Sequence, residues 1–281
     1  MISLDNKKLN TIRASALVSI FHAKSGHPGG VLSAIDIIAY LFFEGMDYNP
    51  NDFDKLERDR FILSKGHCAP ALYAVAAELG IINRNELKGL RKLNHDLQGH
   101  THRITTPWVE ASTGSLGQGF SFAVGEAYGL KLQNVSNDVF VMLGDGELQE
   151  GEVWEAAMFS GHYELDNLCA IIDYNKMQSD DYNSNIVRLE PLAEKWSAFN
   201  WNVIEIDGHN MSEIKKGFEK AKLQKNAPTV IIANTIKGKG VTYMEGSPSW
   251  HGSLELSIED LKEALDQLGL PNFNINRFIN E

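Results

Sequence analysis

The sequence has little of what marks several protein classes. Its two cysteines, Cys68 and Cys169, form no CxxC pair, so we expect neither a disulfide framework nor a cysteine-based metal site. Unpaired cysteines are typical of a reducing compartment, and we predict a cytoplasmic protein. The first residues, MISLDNKKLN, lack the apolar core of a secretory signal, and we see no apolar run of bilayer length. We therefore expect no membrane partner.

Positive charge is also scarce. The chain of 281 residues has 26 Lys and Arg against 37 Asp and Glu, a net charge of −11. This balance argues against non-specific binding to nucleic acid, although a small site for an anion is still compatible with it. The apolar content of 43% is ordinary for a globular protein and is enough for a large core.

Apolar runs of strand length alternate with helical patterns along the chain. Helical spacing covers residues 6–23 and 211–223, and Ser33 with Asp36 and Ser257 with Asp260 have the spacing of capping boxes. The runs that predict strands are RFILS (60–64), VFVML (139–143), LCAIID (168–173), NVIEID (202–207) and TVIIAN (229–234). This alternation predicts an α/β fold: a doubly wound, mainly parallel sheet with helices on both faces. We expect one domain over residues 1–281, with a C-terminal helical extension.

Polar residues follow two of the predicted strands. Asp145 lies between two glycines after VFVML, and Asn175 follows LCAIID thirty residues later. Because ligands bind beyond the carboxyl ends of parallel strands, the pair predicts a site for Mg²⁺ or Ca²⁺. The glycines and the following helix would suit a diphosphate bound to that metal. The alternative is that GDG is only a turn and that Asn175 caps a helix.

Three histidines, His27, His67 and His100, each follow a glycine in a loop. Each on its own is equally well explained as an exposed or hydrogen-bonded loop residue. Together they suggest a polar lining that takes part in proton transfer, because imidazole titrates near neutral pH. Lys237 and Lys239 either flank an anion or lie in a solvated turn.

Seven motifs, in order, resemble the N-terminal half of transketolases, and they cover nearly the whole chain. They are SGHPGG (25–30), LSKGHCAPALYA (63–74), QGH (98–100), STGSLGQG (112–119), GDGELQEGEVWEA (144–156), IIDYNKMQ (171–178) and KGKGVTYMEGSPSWHG (237–252). The resemblance implies the thiamine-diphosphate-binding fold and a reversible transfer of a two-carbon ketol unit from a ketose to an aldose.

The same resemblance implies a role for each matching residue. The metal ligands would be Asp145, Asn175 and the main-chain carbonyl of Met177. Contacts to the diphosphate would come from the Gly146 N–H, His67 and His251, while Gly114 and Leu116 would flank the cofactor rings. Sugar hydroxyls would be bound by His27 and His100, which would share in proton transfers with His67 and His251.

Two glutamates, Glu150 and Glu155, begin the helix after GDG, where acids are favoured in any protein. In transketolases, equivalent glutamates join a network at the subunit interface that couples the active sites, and we favour that role for both. The apolar residues of the same helix, Val153, Trp154, Ala157 and Met158, are predicted to be buried.

The residues after His251 are too few for another α/β domain, since only 252–281 follow it. Transketolases carry the acid that activates the cofactor on a pyrimidine-binding domain, and that domain has no counterpart here. The resemblance therefore implies the N-terminal subunit of a split enzyme. A second chain would supply the pyrimidine-binding and C-terminal domains, in an α2β2 heterotetramer acting on sugar phosphates in a pathway such as the pentose phosphate pathway.

One segment departs from the family pattern. After Gly99 and His100 the family continues with Pro and an acid, whereas this chain has Thr101, His102 and Arg103. These residues either form a solvated loop, which we favour, or favour an anionic group on an unusual or modified sugar. Two other functions stay open: a different thiamine-diphosphate reaction, such as a decarboxylating synthase, and a cofactor-binding protein without turnover.

Overall fold

The computed structural model describes residues 4–49, 51–179, 181–252, 254–273 and 275. The outermost parts of the predicted domain, residues 1–3 and 276–281, lie outside this description. Within it, every predicted strand and both predicted helices are found, with ends that differ from the prediction by no more than two residues.

The strands form one parallel sheet and one small hairpin. In chain order they are β1 (Arg60–Leu63), β2 (Val139–Gly144), β3 (Leu168–Tyr174), β4 (Met177–Gln178), β5 (Asp181–Tyr182), β6 (Asn202–Asp207) and β7 (Thr229–Asn234). The sheet has the order β1-β2-β3-β7-β6, with parallel pairing throughout, and β4 pairs with β5 in antiparallel fashion. The predicted parallel sheet is therefore confirmed.

Helices cover both faces of this sheet. They are α1 (Asn6–Ala23), α2 (Pro28–Tyr40), α3 (Ala69–Glu78), α4 (Gln118–Leu132), α5 (Gly151–His162), α6 (Asn183–Ile186), α7 (Leu192–Ala198), α8 (Met211–Leu223) and α9 (Ile258–Gln267). One apolar core lies between the sheet and α1, α2, α3 and α8, with α9 packed on α1. A second core lies between the opposite face and α4, α5 and α7. This arrangement confirms the doubly wound fold.

One of the two predicted capping boxes is present in the structure. Ser257 and Asp260 form a complete capping box at the start of α9. Ser33 and Asp36 do not form one, because α2 already begins at Pro28, where proline suits the first turn. Both residues lie buried inside α2, and their side chains bind other elements: Ser33 donates to Asp173, and Asp36 pairs with Arg13.

One helical stretch does reach the length and apolarity of a membrane span, contrary to the sequence expectation. Residues Pro28–Gly45 have a mean hydropathy of 1.3, and 83% of the stretch is buried inside the protein. Its place between α1, α3 and α8 explains the composition, because a helix packed on all sides is apolar all round.

The close approach of α5 to the turn after α7 gives a stability prediction. A Cβ at Gly161 would lie 1.9 Å from the Phe199 carbonyl oxygen, so Gly161→Ala must displace one of the two segments. We expect a loss of about 1–3 kcal/mol in the free energy of unfolding, measured by urea titration of the chain. Gly125→Ala in α4, where nothing lies within 4 Å, is the control and should be neutral or slightly stabilising. Equal effects would contradict this packing.

Candidate active site

The polar residues at the carboxyl end of the sheet come together at one edge. Strands β2 and β3 are neighbours, with Gly144 paired to Asp173, so the loops carrying Asp145 and Asn175 leave adjacent strands side by side. The segment after β1 brings Lys65 and His67 to the same edge, and the loop after β7 brings Lys237. The strand order therefore brings Asp145 and Asn175 to the same edge of the sheet, as the sequence predicted.

These residues surround one cavity of about 270 Å³. Most of its lining consists of residues that the sequence analysis singled out. The lining is His27, Gly30, Lys65, His67, His100, Gly114, Leu116, Gly144, Asp145, Gly146, Glu147, Asn175, Met177, Gln178, Ser179, Lys237 and His251.

A fully buried carboxylate, Asp173, organises the floor of the cavity. It forms a short ion pair with Lys65 and accepts hydrogen bonds from Ser33 (2.6 Å), Thr235 and Asn175 (3.3 Å). Burial by itself would raise the pKa of Asp173, but the contact with Lys65 outweighs it and lowers that pKa. Asp173 and its partners thus join α2 to the ends of β1, β3 and β7.

Asp145 is also buried, but unlike Asp173 it forms no ion pair with a described residue. Its carboxylate accepts hydrogen bonds from the backbone N–H of Gly146 (2.8 Å) and of Lys176 (2.5 Å). Burial, together with the nearby charge of Asp173, raises the pKa of Asp145 to about 6. A cation beside Asp145 would remove this destabilisation of the ionised form.

The donors around Asp145 fit a hard divalent cation. The Asn175 side-chain oxygen accepts from the backbone N–H of Met177 (3.2 Å), which fixes the amide close to the Met177 main chain. Carboxylate, amide and carbonyl oxygens suit Mg²⁺ or Ca²⁺ rather than zinc. Among the described residues no three side chains of His, Cys, Asp or Glu come together as a metal site. A cation here would therefore need further oxygens from a ligand, as Mg²⁺ at phosphate sites does.

Lys237 is almost completely buried and lies in the cavity rather than in a solvated turn. Its ammonium group donates to the Met177 carbonyl (3.3 Å) and lies 2.6 Å from Nδ1 of His251. Burial and the charge of Lys65 lower the pKa of Lys237 to about 8. Because Lys65 is already paired with Asp173, Lys237 is the cation that could attract an anionic group here in a protein of net negative charge.

Three imidazole rings are in mutual contact on one wall. The ring centroids of His27 and His67 are 5.1 Å apart, and each lies 5.7 Å from that of His251. Burial lowers the pKa of all three, to about 4 for His27 and about 3 for His251. They are therefore neutral at pH 7 and can accept as well as donate hydrogen bonds.

The Gly-rich loop before α4 forms another part of the lining. Gly114 has φ +147°, and a Cβ there would lie 3.0 Å from the His100 ring, so glycine is needed for this approach. Glu147 fixes the end of the loop by accepting from the backbone N–H of Gly117 (2.9 Å) and of Gly144 (3.0 Å). Leu116 projects into the cavity and is partly exposed.

Two predicted sites lie away from the cavity. Glu150 is exposed at the N-cap of α5, and Glu155 is exposed one turn further along the helix. Met158 on the same helix was predicted to be buried, but this prediction is wrong, since it is 54% exposed. Val153 and Ala157 are fully buried as predicted and Trp154 is partly buried, so only Met158 of the predicted stripe faces outward in the single chain.

The segment that departs from the family pattern holds its own loop together. Thr101 is buried and donates to the Ala111 carbonyl (3.0 Å). Arg103 donates to the Glu110 carbonyl (2.7 Å) and lies near the Glu110 carboxylate. His102 lies 3.1 Å from the Thr105 hydroxyl. None of the three lines the cavity among the described residues, as expected for the loop alternative.

Residues 4–280 match the family described as "Transketolase, thiamine diphosphate binding domain". The chain belongs to the transketolase family. Its sequence is 44% identical over 259 residues to the 6-deoxy-6-sulfo-D-fructose transketolase subunit SqwG of Clostridium sp. (strain MSTE9), which covers 92% of this chain and 94% of that protein. It is 37% identical to one of the subunits of the apulose-4-phosphate transketolase of Phocaeicola vulgatus, over 90% and 92% of the two chains.

Full-length transketolases match over less of their length. Human transketolase is 45% identical over 86% of this chain, which spans 38% of the human protein. The transketolase structure from Leishmania mexicana superimposes with a TM-score of 0.90 at 31% identity, covering 99% of this chain and 45% of the other. The predicted resemblance and the thiamine-diphosphate-binding fold are thereby confirmed.

Three polar residues of this transketolase site escaped the sequence analysis: Lys65, Glu147 and Asp173. Each lies inside a quoted motif, but no pattern distinguishes a buried charged residue from an exposed one at a strand end. The available signal was Asp173 itself, a carboxylate that directly continues the apolar run LCAII and therefore needs a buried partner.

Removing the Asp173 charge should be costly. Asp173→Asn leaves the Lys65 ammonium buried without its counter-ion, and we expect a loss of about 3–5 kcal/mol in the free energy of unfolding. Urea titration followed by circular dichroism measures it. Glu255→Gln is the control, because Glu255 and Lys24 form an exposed pair at 3.5 Å whose loss should cost less than about 1 kcal/mol. An Asp173→Asn chain as stable as this control would contradict the proposed arrangement.

Proposed function

We propose that the chain is the diphosphate-binding subunit of a two-chain transketolase, which moves a two-carbon ketol unit from a ketose phosphate to an aldose phosphate. The observation that carries the proposal is the convergence of His27, His67, His100 and His251 on the cavity that also holds Asp145 and Asn175. A hard-oxygen donor set beside neutral imidazoles suits a metal-bound diphosphate next to a polyhydroxylated substrate.

Each part of the cavity has a proposed binding role. Asp145, Asn175 and the Met177 carbonyl, which accepts a hydrogen bond from Lys237 (3.3 Å), would hold Mg²⁺. The Gly146 N–H, His67, His251 and Lys237 would contact the diphosphate, and Gly114 and Leu116 would border the rings. Thiamine diphosphate, when bound, supplies the electron sink for breaking the carbon–carbon bond beside the ketose carbonyl.

The chain's own contribution to the chemistry is orientation and proton transfer. Neutral His27 can accept a proton from a sugar hydroxyl, and burial keeps its imidazole in that form at pH 7. His100 lines the same cavity beside Gly114 and can hold a second hydroxyl. A 2-oxoacid substrate would have no use for such a set, which favours ketol transfer over a decarboxylating synthase. Retention of the whole set disfavours a binding protein without turnover.

A second chain would complete the site. The two split-enzyme subunits named above have nearly the length of this chain, whereas full-length transketolases are more than twice as long. On α4, α5 and the adjoining segments, six large apolar side chains are more than a third exposed: Leu116, Phe122, Leu132, Met158, Phe159 and Tyr163. We propose that this patch, with Glu150 and Glu155 beside it, lies at a subunit interface of an α2β2 assembly in the cytoplasm.

Two classes of sugar are candidates for the substrate. The likeness to a sulfofructose transketolase subunit favours a modified sugar as the second candidate substrate. Arg103 lends no support to that choice, since its guanidinium is already bound to Glu110. Comparing the reconstituted enzyme on xylulose 5-phosphate and on 6-deoxy-6-sulfofructose decides between the two classes.

Reconstitution tests the two-chain proposal. The chain should show no ketol transfer alone and should become active when mixed with the second polypeptide, thiamine diphosphate and Mg²⁺. The assay follows transfer from xylulose 5-phosphate in preparations free of host transketolase. Substantial turnover by the chain without a partner would mean that the activating acid lies in this chain after all.

The metal assignment has its own test in the assembled complex. Asp145→Ala should weaken the binding of thiamine diphosphate with Mg²⁺ by at least about tenfold, or about 1.4 kcal/mol, because a charged ligand is lost. Isothermal titration calorimetry measures the dissociation constant. Asp166→Ala, just before the opposite end of β3, removes the same charge and should leave the affinity unchanged. Equal affinities in both variants would refute the assignment of Asp145.

A further inference from the structure

Arg91 contacts the two segments that carry His27 and His100 but does not itself line the cavity. Its backbone is left-handed, with φ +59°, a conformation that is unfavourable for a residue with a Cβ. The backbone N–H donates to the Leu97 carbonyl (2.9 Å) and closes a short loop. The structure thus holds the Arg91 side chain in one place at a cost to the local backbone.

The guanidinium contacts both loops that carry the histidines. Its Nη1 donates to the Ser25 hydroxyl (3.0 Å), two residues before His27. On its other side lies Gly99, where a Cβ would be 2.5 Å from Nε of Arg91, so a larger residue there would displace the guanidinium. Ser25 and Gly99 are 74 residues apart in the sequence, and Arg91 contacts both.

Among the described residues, no carboxylate offsets the charge of Arg91. Across the described ranges, no acidic side chain offsets the burial that lowers its pKa, and its buried Nε has no hydrogen-bond partner there. After burial, the Arg91 charge is the next largest cause that lowers the pKa of both His27 and His100. A chain that buries half of a guanidinium without a carboxylate accepts a cost in stability, which points to a use for that charge.

We propose that Arg91 is a positioning residue of the sugar site: its guanidinium joins the Ser25–His27 turn to the Gly99–His100 segment and fixes the two imidazoles relative to each other. The inference rests on the proposed function, in which both imidazoles bind the ketose. It assigns no contact between Arg91 and the sugar or the cofactor. Its effect should therefore appear in sugar turnover and not in cofactor binding.

The variants separate this role from simple loop stability. Arg91→Met keeps the length of the side chain but removes its charge and donors, and Arg91→Lys keeps the charge without the planar fork. Arg84→Met is the matched control, because Arg84 is half-exposed and pairs with Glu78 in the preceding segment. Ser25→Ala removes the acceptor, so combining it with Arg91→Met should add no further loss if the two act as one unit.

In the reconstituted complex, Arg91→Met should lower kcat/KM for xylulose 5-phosphate by about 10–100-fold, since misplacing a substrate-binding group by about 1 Å has effects of this size. Arg91→Lys should give a kcat/KM between those of Arg91→Met and the wild type. The dissociation constant for thiamine diphosphate with Mg²⁺ should stay within about twofold. A kcat/KM equal to that of Arg84→Met, or a parallel loss of cofactor affinity, would overturn the proposal.

A second measurement does not depend on turnover. In NMR spectra of the full chain, the imidazole Cε1–H signals of His27 and His100 should shift and titrate at higher pH in Arg91→Met. The signal of His162, on the outer end of α5, should stay in place. Unshifted His27 and His100 signals would overturn the role of Arg91. A wild-type complex inactive on both xylulose 5-phosphate and 6-deoxy-6-sulfofructose would instead refute the proposed function, while the NMR result would still decide about Arg91.

Discussion

A carboxylate with no access to solvent, Asp173, imposes the arrangement on which the rest of the site depends. An ion of this kind is tolerated in the protein interior only when a counter-ion and hydrogen-bond donors surround it. Lys65, Ser33 and Thr235 meet that requirement from three other elements. The ends of β1, β3 and β7 and the body of α2 are thereby held together, and the loops that continue from them have a fixed origin.

The same low-polarity surroundings decide the chemistry of the wall above. Burial favours the neutral form of each imidazole and the protonated form of Asp145, while the buried ammonium of Lys237 lies beside His251. Such a site is adapted to receive charge from outside: an anionic group beside Lys237 and a divalent cation beside Asp145 would each relieve a cost that the isolated chain bears. Thus the free chain is electrostatically incomplete in a way that matches the proposed ligands.

The apolar surface is incomplete as well. Exposed apolar side chains lie on α4 and α5, and Leu116, which directly precedes the start of α4 and borders the cavity, is also partly exposed. A partner seated there would bury the patch and close the site in a single step. In the proposed two-chain enzyme, assembly would also complete the active site, because the single chain cannot by itself exclude water from its cavity.

The sequence by itself determined the fold class, because strand-length runs and helical periods are local properties, and it located Asp145, Asn175 and the loop histidines through motif order. It could not show that Asp36 and Ser33 lie inside a helix or that Met158 is exposed, since a capping pattern and an apolar stripe fit more than one local structure. Only the tertiary structure decided that Asp173 meets Lys65 and that Arg91 joins two distant loops. Those contacts depend on strand order and loop path, which arise from packing between residues far apart in the chain.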